Sequence, residues 1–208
     1  GGYIMSDVKY RLERLLFNLD TLAELGEELT SPKDFHRIVR SSLYMIMGNF
    51  AASKGAIFQF DNDKKTARLI ASKGVGDIND LVIKLEKEAV RGLVALKTPI
   101  DISSNEKTIS FLGAIKTDLE RIKARILAPL VVRENCIGFI AIGEKFSGEV
   151  YSKDDLRLLS VITHHIAVSL HNQSLLRKLM GKYDENKKLY EDLSFIYYDT
   201  IHAFATAI

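Results

Sequence analysis

The 208 residues are 47% apolar and 27% charged, with 3 prolines and 13 glycines, which is the mixture of an ordinary folded domain and not of a low-complexity chain. Against 29 basic residues stand 27 acidic ones, and the resulting +2 is too weak a field to steer the chain onto nucleic acid or an anionic membrane. The single cysteine, Cys136, excludes an intramolecular disulfide and a Cys-rich metal site and fits a cytoplasmic protein, and no apolar run reaches the roughly 20 residues that cross a bilayer.

From Val8 to Leu29, the residues Leu12, Leu15, Leu19 and Leu22 continue an alternating four-three spacing, the seam of a left-handed coiled coil. Thr30-Ser31-Pro32 interrupts this helix and restarts another, with Ser31 as cap and Pro32 at the first helical position. The second helix runs to about Phe50 and collects Phe35, Ile38, Val39, Leu43, Ile46 and Met47 on one side, a face to be buried. After Gly55 the period changes to two: Ala56–Phe60 and Thr66–Ser72 flank Asp61-Asn62-Asp63 as a hairpin. A short strand at Val82–Leu85, a helix through Ala89–Ala95 and an edge strand at Lys97–Ile102 follow, proline being tolerated at an edge. The polar stretch Ser103–Lys123 reads as a loop with helical turns around Phe111–Leu119. Ile126–Val132 and Cys136–Gly143 form a second hairpin, apolar on both faces and therefore central and covered twice.

A long helix starts at Ser152, with Asp154 and Asp155 in its first turn where the helix dipole favours them. Along it Leu158, Val161, His165, Val168, Asn172, Leu175 and Leu179 keep the four-three spacing, and Lys182, Asn186, Leu189, Leu193, Ile196 and Thr200 continue it. Leu159, Ile162 and Ile166 mark a second apolar face. Together the elements predict an antiparallel sheet with helices on both faces. The opening Gly1-Gly2 and the uncapped close at Thr206-Ala207-Ile208 read as cut ends of a longer chain.

Several blocks resemble GAF domains: Leu25–Leu29 with Phe35–Val39, then Gly92-Leu93-Val94-Ala95 with Lys97-Thr98-Pro99-Ile100, then Ala128-Pro129-Leu130, Gly138–Ile142, Gly143-Glu144-Lys145 and Tyr151–Leu159. The resemblance covers about residues 15 to 175. It implies an α+β, GAF-like (PAS-like) fold: a six-stranded antiparallel sheet, helices on both faces, and long N- and C-terminal coiled-coil helices. It further implies a dimerisation layer on one face and a ligand pocket on the other. The domain plan is then a dimerising helix over 1–30, a GAF sensor over 31–172 and a signalling helix over 173–208. Phosphodiesterase members carry an Asn-Lys…Phe…Asp-Glu signature, which Glu144, Lys145, Tyr151, Asp155 and Leu156 match only in part, so cyclic GMP is not the expected ligand. Phytochrome-type members attach a bilin to cysteine, whereas Cys136 falls in a central strand as a small hydrophobe. Leu193–Ile208 resembles the first helix of HD-GYP phosphodiesterases that degrade cyclic di-GMP, which names a downstream output domain.

No catalytic group is expected. There is no nucleophile with a base, no phosphate-cradling glycine loop and no His-Glu-x-x-His, and His36, His164, His165, His171 and His202 show no spacing that would bring two onto one metal. His165 and Asn172 on the seam suit the fixing of register and oligomer state. The expected pocket lies on the sheet face away from the terminal helices, roofed by Gly92–Ala95 and Ser103–Arg125. Phe58, Phe111 and Ile115 are its candidate walls, and the backbone N–H groups of a helix opening at Arg91-Gly92-Leu93 are its candidate anion binders. The sequence thus describes a non-catalytic sensor without a cofactor: it binds an unknown small-molecule effector and relays through a homodimer, with no nucleic acid or membrane partner. The other reading is a spacer that dimerises and fills its own pocket.

Overall fold

The computed structural model describes residues 32–61, 65–76, 78, 81–103 and 110–206, together with Tyr10 and Glu13. The seam positions Leu12, Leu15, Leu19 and Leu22 therefore lie outside the described residues. The chain divides into two compact units between His171 and Asn172.

In the first unit, α1 (Pro32–Phe50) opens on proline, whose fixed φ and missing N–H cost nothing in a first turn. The three-four spacing of Phe35, Val39, Leu43, Ile46, Met47 and Phe50 turns these side chains inward together. The strands β1 (Gly55–Asp61) and β2 (Thr66–Lys73) pair antiparallel, Gly55 opposite Lys73 and Asp61 opposite Thr66. β3 (Val82–Lys84) lies on the outer edge of β2. Then α2 (Lys87–Leu96) leads to the two-residue edge strand β4 (Ile100–Asp101), and a 3-10 turn at Ser110–Leu112 leads to α3 (Ala114–Arg121). β5 (Ile126–Val132) and β6 (Asn135–Ile142) form the second hairpin, and β6 pairs with β1. The sheet order is β3-β2-β1-β6-β5-β4, with every pair antiparallel. The six-stranded α+β fold read from the sequence is the fold observed.

Alternation sorts the strand residues into two cores. Ile57, Ala128, Leu130, Ile140 and Ile142 face α1 and the first turns of α4 (Lys153–Thr206). Ala56, Phe58, Leu127, Phe139 and Ala141 face the layer built by α2 and α3, where Leu93, Leu112, Ile115 and Leu119 meet them. Each such large side chain contributes about 1.5–3 kcal/mol on burial, so the inner strands β1, β6 and β5 are held from both sides.

Within this unit α4 buries Leu158, Leu159, Ile162, Ile166 and Leu170 against the first core. Leu158, assigned by spacing to the seam, is 8% exposed: it lies beside Leu159 and Ile162 and is drawn into the domain. Val161, His165 and Val168 remain half-exposed. In the second unit Asn172, Leu175 and Leu179 are exposed, and so are the described side chains onward to Ala203. Among the described residues no helix is long and apolar enough to cross a membrane.

Candidate functional site

The fold leaves a cavity of about 300 Å³ at the far end of the first hairpin, lined by Phe60, Asp61, Lys65, Leu85, Lys87, Val90 and Arg91. Three separate segments position it. Phe60 and Asp61 end β1. Lys65, held at φ 50 immediately before β2, accepts at its carbonyl the N–H of Leu85 at 2.9 Å, which ties the hairpin end to the β3–α2 link. Lys87 opens α2, and Arg91 follows one turn later on the same helix side. Phe60 stands edge-on to Phe139 at 6.2 Å, and Leu85 and Val90 pack against the α2-side core. The floor is therefore apolar, while three cationic side chains and one carboxylate occupy the rim.

This is the sheet face expected for a pocket, but Phe58 and Ile115 are not among the lining residues. Phe58, Leu93 and Ile115 are 0%, 0% and 1% exposed inside the core, with Phe58 stacked on Phe139 at 4.7 Å. Gly92 is half-buried, and Phe111 falls in the 3-10 turn. The expected anion site on the amides of Arg91-Gly92-Leu93 needs correction. The helix begins four residues earlier at Lys87, and Val90 N–H already donates to the Glu86 carbonyl at 3.2 Å, so amides from there on are committed to the helical ladder. Arg91 reaches the cavity through its side chain instead. Arg91 is the one lining residue that the sequence singles out; the others were missed because nothing local in the sequence announces that a hairpin end and a helix start will meet.

A second cluster joins the sheet to α4. Lys145 Nζ lies 2.6 Å from Asp155 Oδ2 and 5.2 Å from the Tyr151 ring centroid, and Tyr151 O–H donates to the Gly143 carbonyl at 2.8 Å. Ser152 and Asp155 cap one another: Asp155 N–H donates to Ser152 Oγ at 3.1 Å and Ser152 N–H to Asp155 Oδ2 at 2.8 Å, the reciprocal arrangement of a capping box. Burial works against charge on Asp155, yet Lys145 and the Ser152 donors outweigh it and hold the carboxyl below its ordinary range. Burial, then the Asp155 charge, pushes the Tyr151 phenol well up. Lys145, Tyr151 and Asp155, three positions of the partial phosphodiesterase signature, thus form a latch on the α1 side of the sheet, away from the cavity.

A further ion pair escaped the sequence reading. Arg125 Nε lies 2.8 and 2.9 Å from the two Asp101 oxygens, closing β4 onto the start of β5. Burial opposes charge on Asp101, and hydrogen bonds from Arg125 and Ser103 overcome it to lower its pKa. Cys136 is 7% exposed, and burial pushes its thiol up to about 11. Among the described residues no three His, Cys, Asp or Glu side chains gather as metal ligands.

In the second unit, Leu193, Ser194, Ile196, Tyr197, Tyr198 and Thr200 line an open groove of about 490 Å³. All its walls belong to one helix, so it becomes a site only when something covers it.

Residues 34–172 match the GAF domain family. Diguanylate cyclase A of Treponema denticola is 26% identical over 177 residues, which cover 79% of this chain and 45% of that protein; the chain spans a little under half of this relative's length. Among solved structures, the PixJ GAF domain of Thermosynechococcus elongatus in its blue-light-absorbing form aligns with a TM-score of 0.55 at 14% identity, over 74% of this chain and 94% of that one. A GAF domain/HD domain protein from Geobacter sulfurreducens aligns with a TM-score of 0.52 at 14% identity, over 68% and 95%. These two share the fold. With more than half of its length matched by the family and its six strands in one antiparallel sheet between two helical layers, the chain belongs to the GAF domain family.

Proposed function

We propose that this chain is the non-catalytic sensory module of a signalling protein, in which a small anionic effector with an apolar body binds between the β1–β2 end and α2. The observation that supports it is the cavity itself: Lys65, Lys87 and Arg91 stand around a floor of Phe60, Leu85 and Val90. Guanidinium and ammonium groups select phosphate or carboxylate, and the apolar floor takes the remainder of the molecule. Binding is relayed through a parallel homodimer in which the segment over 8–29 and α4 assemble a four-helix bundle. The output is an enzyme of cyclic di-GMP turnover. The curated relative is a diguanylate cyclase, whereas the resemblance of Leu193–Ile208 favours an HD-GYP phosphodiesterase; the sensory role is the same for either.

The test is native mass spectrometry of the purified chain for a retained molecule, followed by thermal shift with nucleoside phosphates, aromatic carboxylates and uncharged analogues. A ligand at 100 times its Kd stabilises by about 2.7 kcal/mol, a readable rise in Tm. The expected result is a rise with anionic compounds only, abolished in Lys87→Ala/Arg91→Ala without loss of the basal Tm. No response to any anion would favour the spacer reading, which has its own support in the packing of Phe58, Leu93 and Ile115 as filled core.

A further inference from the structure

The exposed side chains of α4 in the second unit are ordered in a way that the seam does not explain. Seam positions a are Asn172, Leu179, Asn186 and Leu193, and positions d are Leu175, Lys182, Leu189 and Ile196. The residues directly after d, the e positions, include Tyr183, Tyr190 and Tyr197, seven apart and 70%, 74% and 64% exposed. Directly before a, the g positions carry Lys178, Glu185, Asp192 and Asp199, all exposed. Over the same heptads the outer positions take Arg177, Asp184, Lys187, Lys188 and Glu191, so the aromatic rings are confined to the flank of the seam until Phe195. Side chains at e and g choose the partner and its direction, because in a parallel pair each g lies across from the e five residues on in the other helix.

We propose that α4 selects a second copy of this chain, parallel to itself, through a ladder in which the Tyr190 and Tyr197 hydroxyls donate to Glu185 and Asp192 of the partner helix. The spacing is five residues at both rungs. A tyrosine hydroxyl extends about as far from its Cα as a lysine ammonium, so it reaches a g carboxylate as the usual lysine would. It brings a ring that covers the seam edge, and its bond to an ionised acceptor is of the stronger kind. Lys178 meets Tyr183 at the same offset and adds a cation over a ring face. In an antiparallel pair g would face g, setting the acidic run Glu185, Asp192 and Asp199 against itself. The two-fold symmetry of a parallel pair doubles each rung, while Asn172 and Asn186 at a hold the register. The proposal rests on the homodimer reading above and adds what sets its direction.

The experiment uses the whole chain. Leu193→Cys, at an a position, reports direction and register by oxidative trapping, and sedimentation equilibrium reports the dimer Kd of wild type and of Tyr190→Phe/Tyr197→Phe. The double variant keeps both rings and removes only the hydroxyls. The expected result is rapid disulfide trapping at residue 193 and a roughly tenfold weaker dimer in the double variant, with an unchanged circular dichroism spectrum. Trapping with an unchanged Kd would keep the homodimer and overturn the ladder. A dimer that fails to trap at 193, or a stable trimer or tetramer, would overturn the parallel pairing and assign the tyrosines to a different helix packing. A chain that stays monomeric and never traps would remove the homodimer reading, and the ladder with it.

Discussion

Gly138 illustrates how one position constrains the sheet. It lies on β6 opposite Gln59 and Leu130, and a Cβ there would overlap the Phe58 carbonyl oxygen. Because the obstruction is backbone, no rotamer change relieves it. Gly138→Ala is expected to cost about 3 kcal/mol, measured as a fall in Tm with the GAF fold retained by circular dichroism; a shift under one degree would contradict the packing described. Cys136 on the same strand is buried, with its thiol raised to about 11. Only the thiolate is nucleophilic, so iodoacetamide at pH 8 should label the native chain far more slowly than the urea-unfolded one. Equal rates would show that the strand opens or that the thiol is exposed. Asp155 gives a pH signature. Its folded carboxyl is held below the ordinary Asp value, so its stabilisation is fully present above the unfolded pKa, about 4, and disappears as pH falls through the folded value. Asp155→Asn should lower Tm at pH 7 by several degrees, corresponding to about 1–2 kcal/mol, and the deficit should shrink below pH 4. A deficit constant with pH would mean that the latch is steric and not ionic.

Among the elements, α4 carries the heaviest demands. Its first turn is fixed by the Ser152–Asp155 box and the Lys145 ion pair, and its next turns by Leu159, Ile162 and Ile166 in the first core. Across residues 165–186 the seam is broken by His165, Asn172, Lys182 and Asn186; later Thr200, also on the seam, satisfies its hydroxyl on the Ile196 carbonyl of its own helix at 2.7 Å. Polar seam residues fix register at a cost in packing, and a weakly packed stretch loosens and repacks locally at small cost, which makes 165–186 the adjustable part of the proposed relay. Asn172→Leu should then raise the dimer's Tm and reduce the effector response of the full-length protein. A variant with a higher Tm and an intact response would place the relay in another element. At the other end of the domain, α2 serves the cavity through its first turns, where Lys87 and Arg91 stand, and the core through Ala89 and Leu93.

For the whole molecule the expectation is a dimer in light scattering at roughly tens of micromolar and no turnover of cyclic di-GMP by this chain alone. Measured monomer would defeat the bundle, and metal-dependent turnover would defeat the non-catalytic reading. Much of the architecture was legible in the amino-acid sequence because it rests on local periodicity. The three-four spacing of Phe35 to Met47 marks a one-faced helix, the alternation in Ala56–Phe60 a half-sorted strand, and the doubly apolar Ile126–Ile142 hairpin the sheet centre; these signals need no knowledge of neighbours. Three-dimensional structure alone decided the rest. Arg125 finds Asp101 across 24 residues, and Lys65 meets Leu85 only once β2 and β3 are paired. Phe58 and Ile115 are apolar residues that the sequence offers equally to a pocket wall or to a core, and packing assigned them to the core. Composition and spacing determine which face of an element is apolar; what that face touches, and where a gap is left, depends on non-local contacts that only the folded chain brings together.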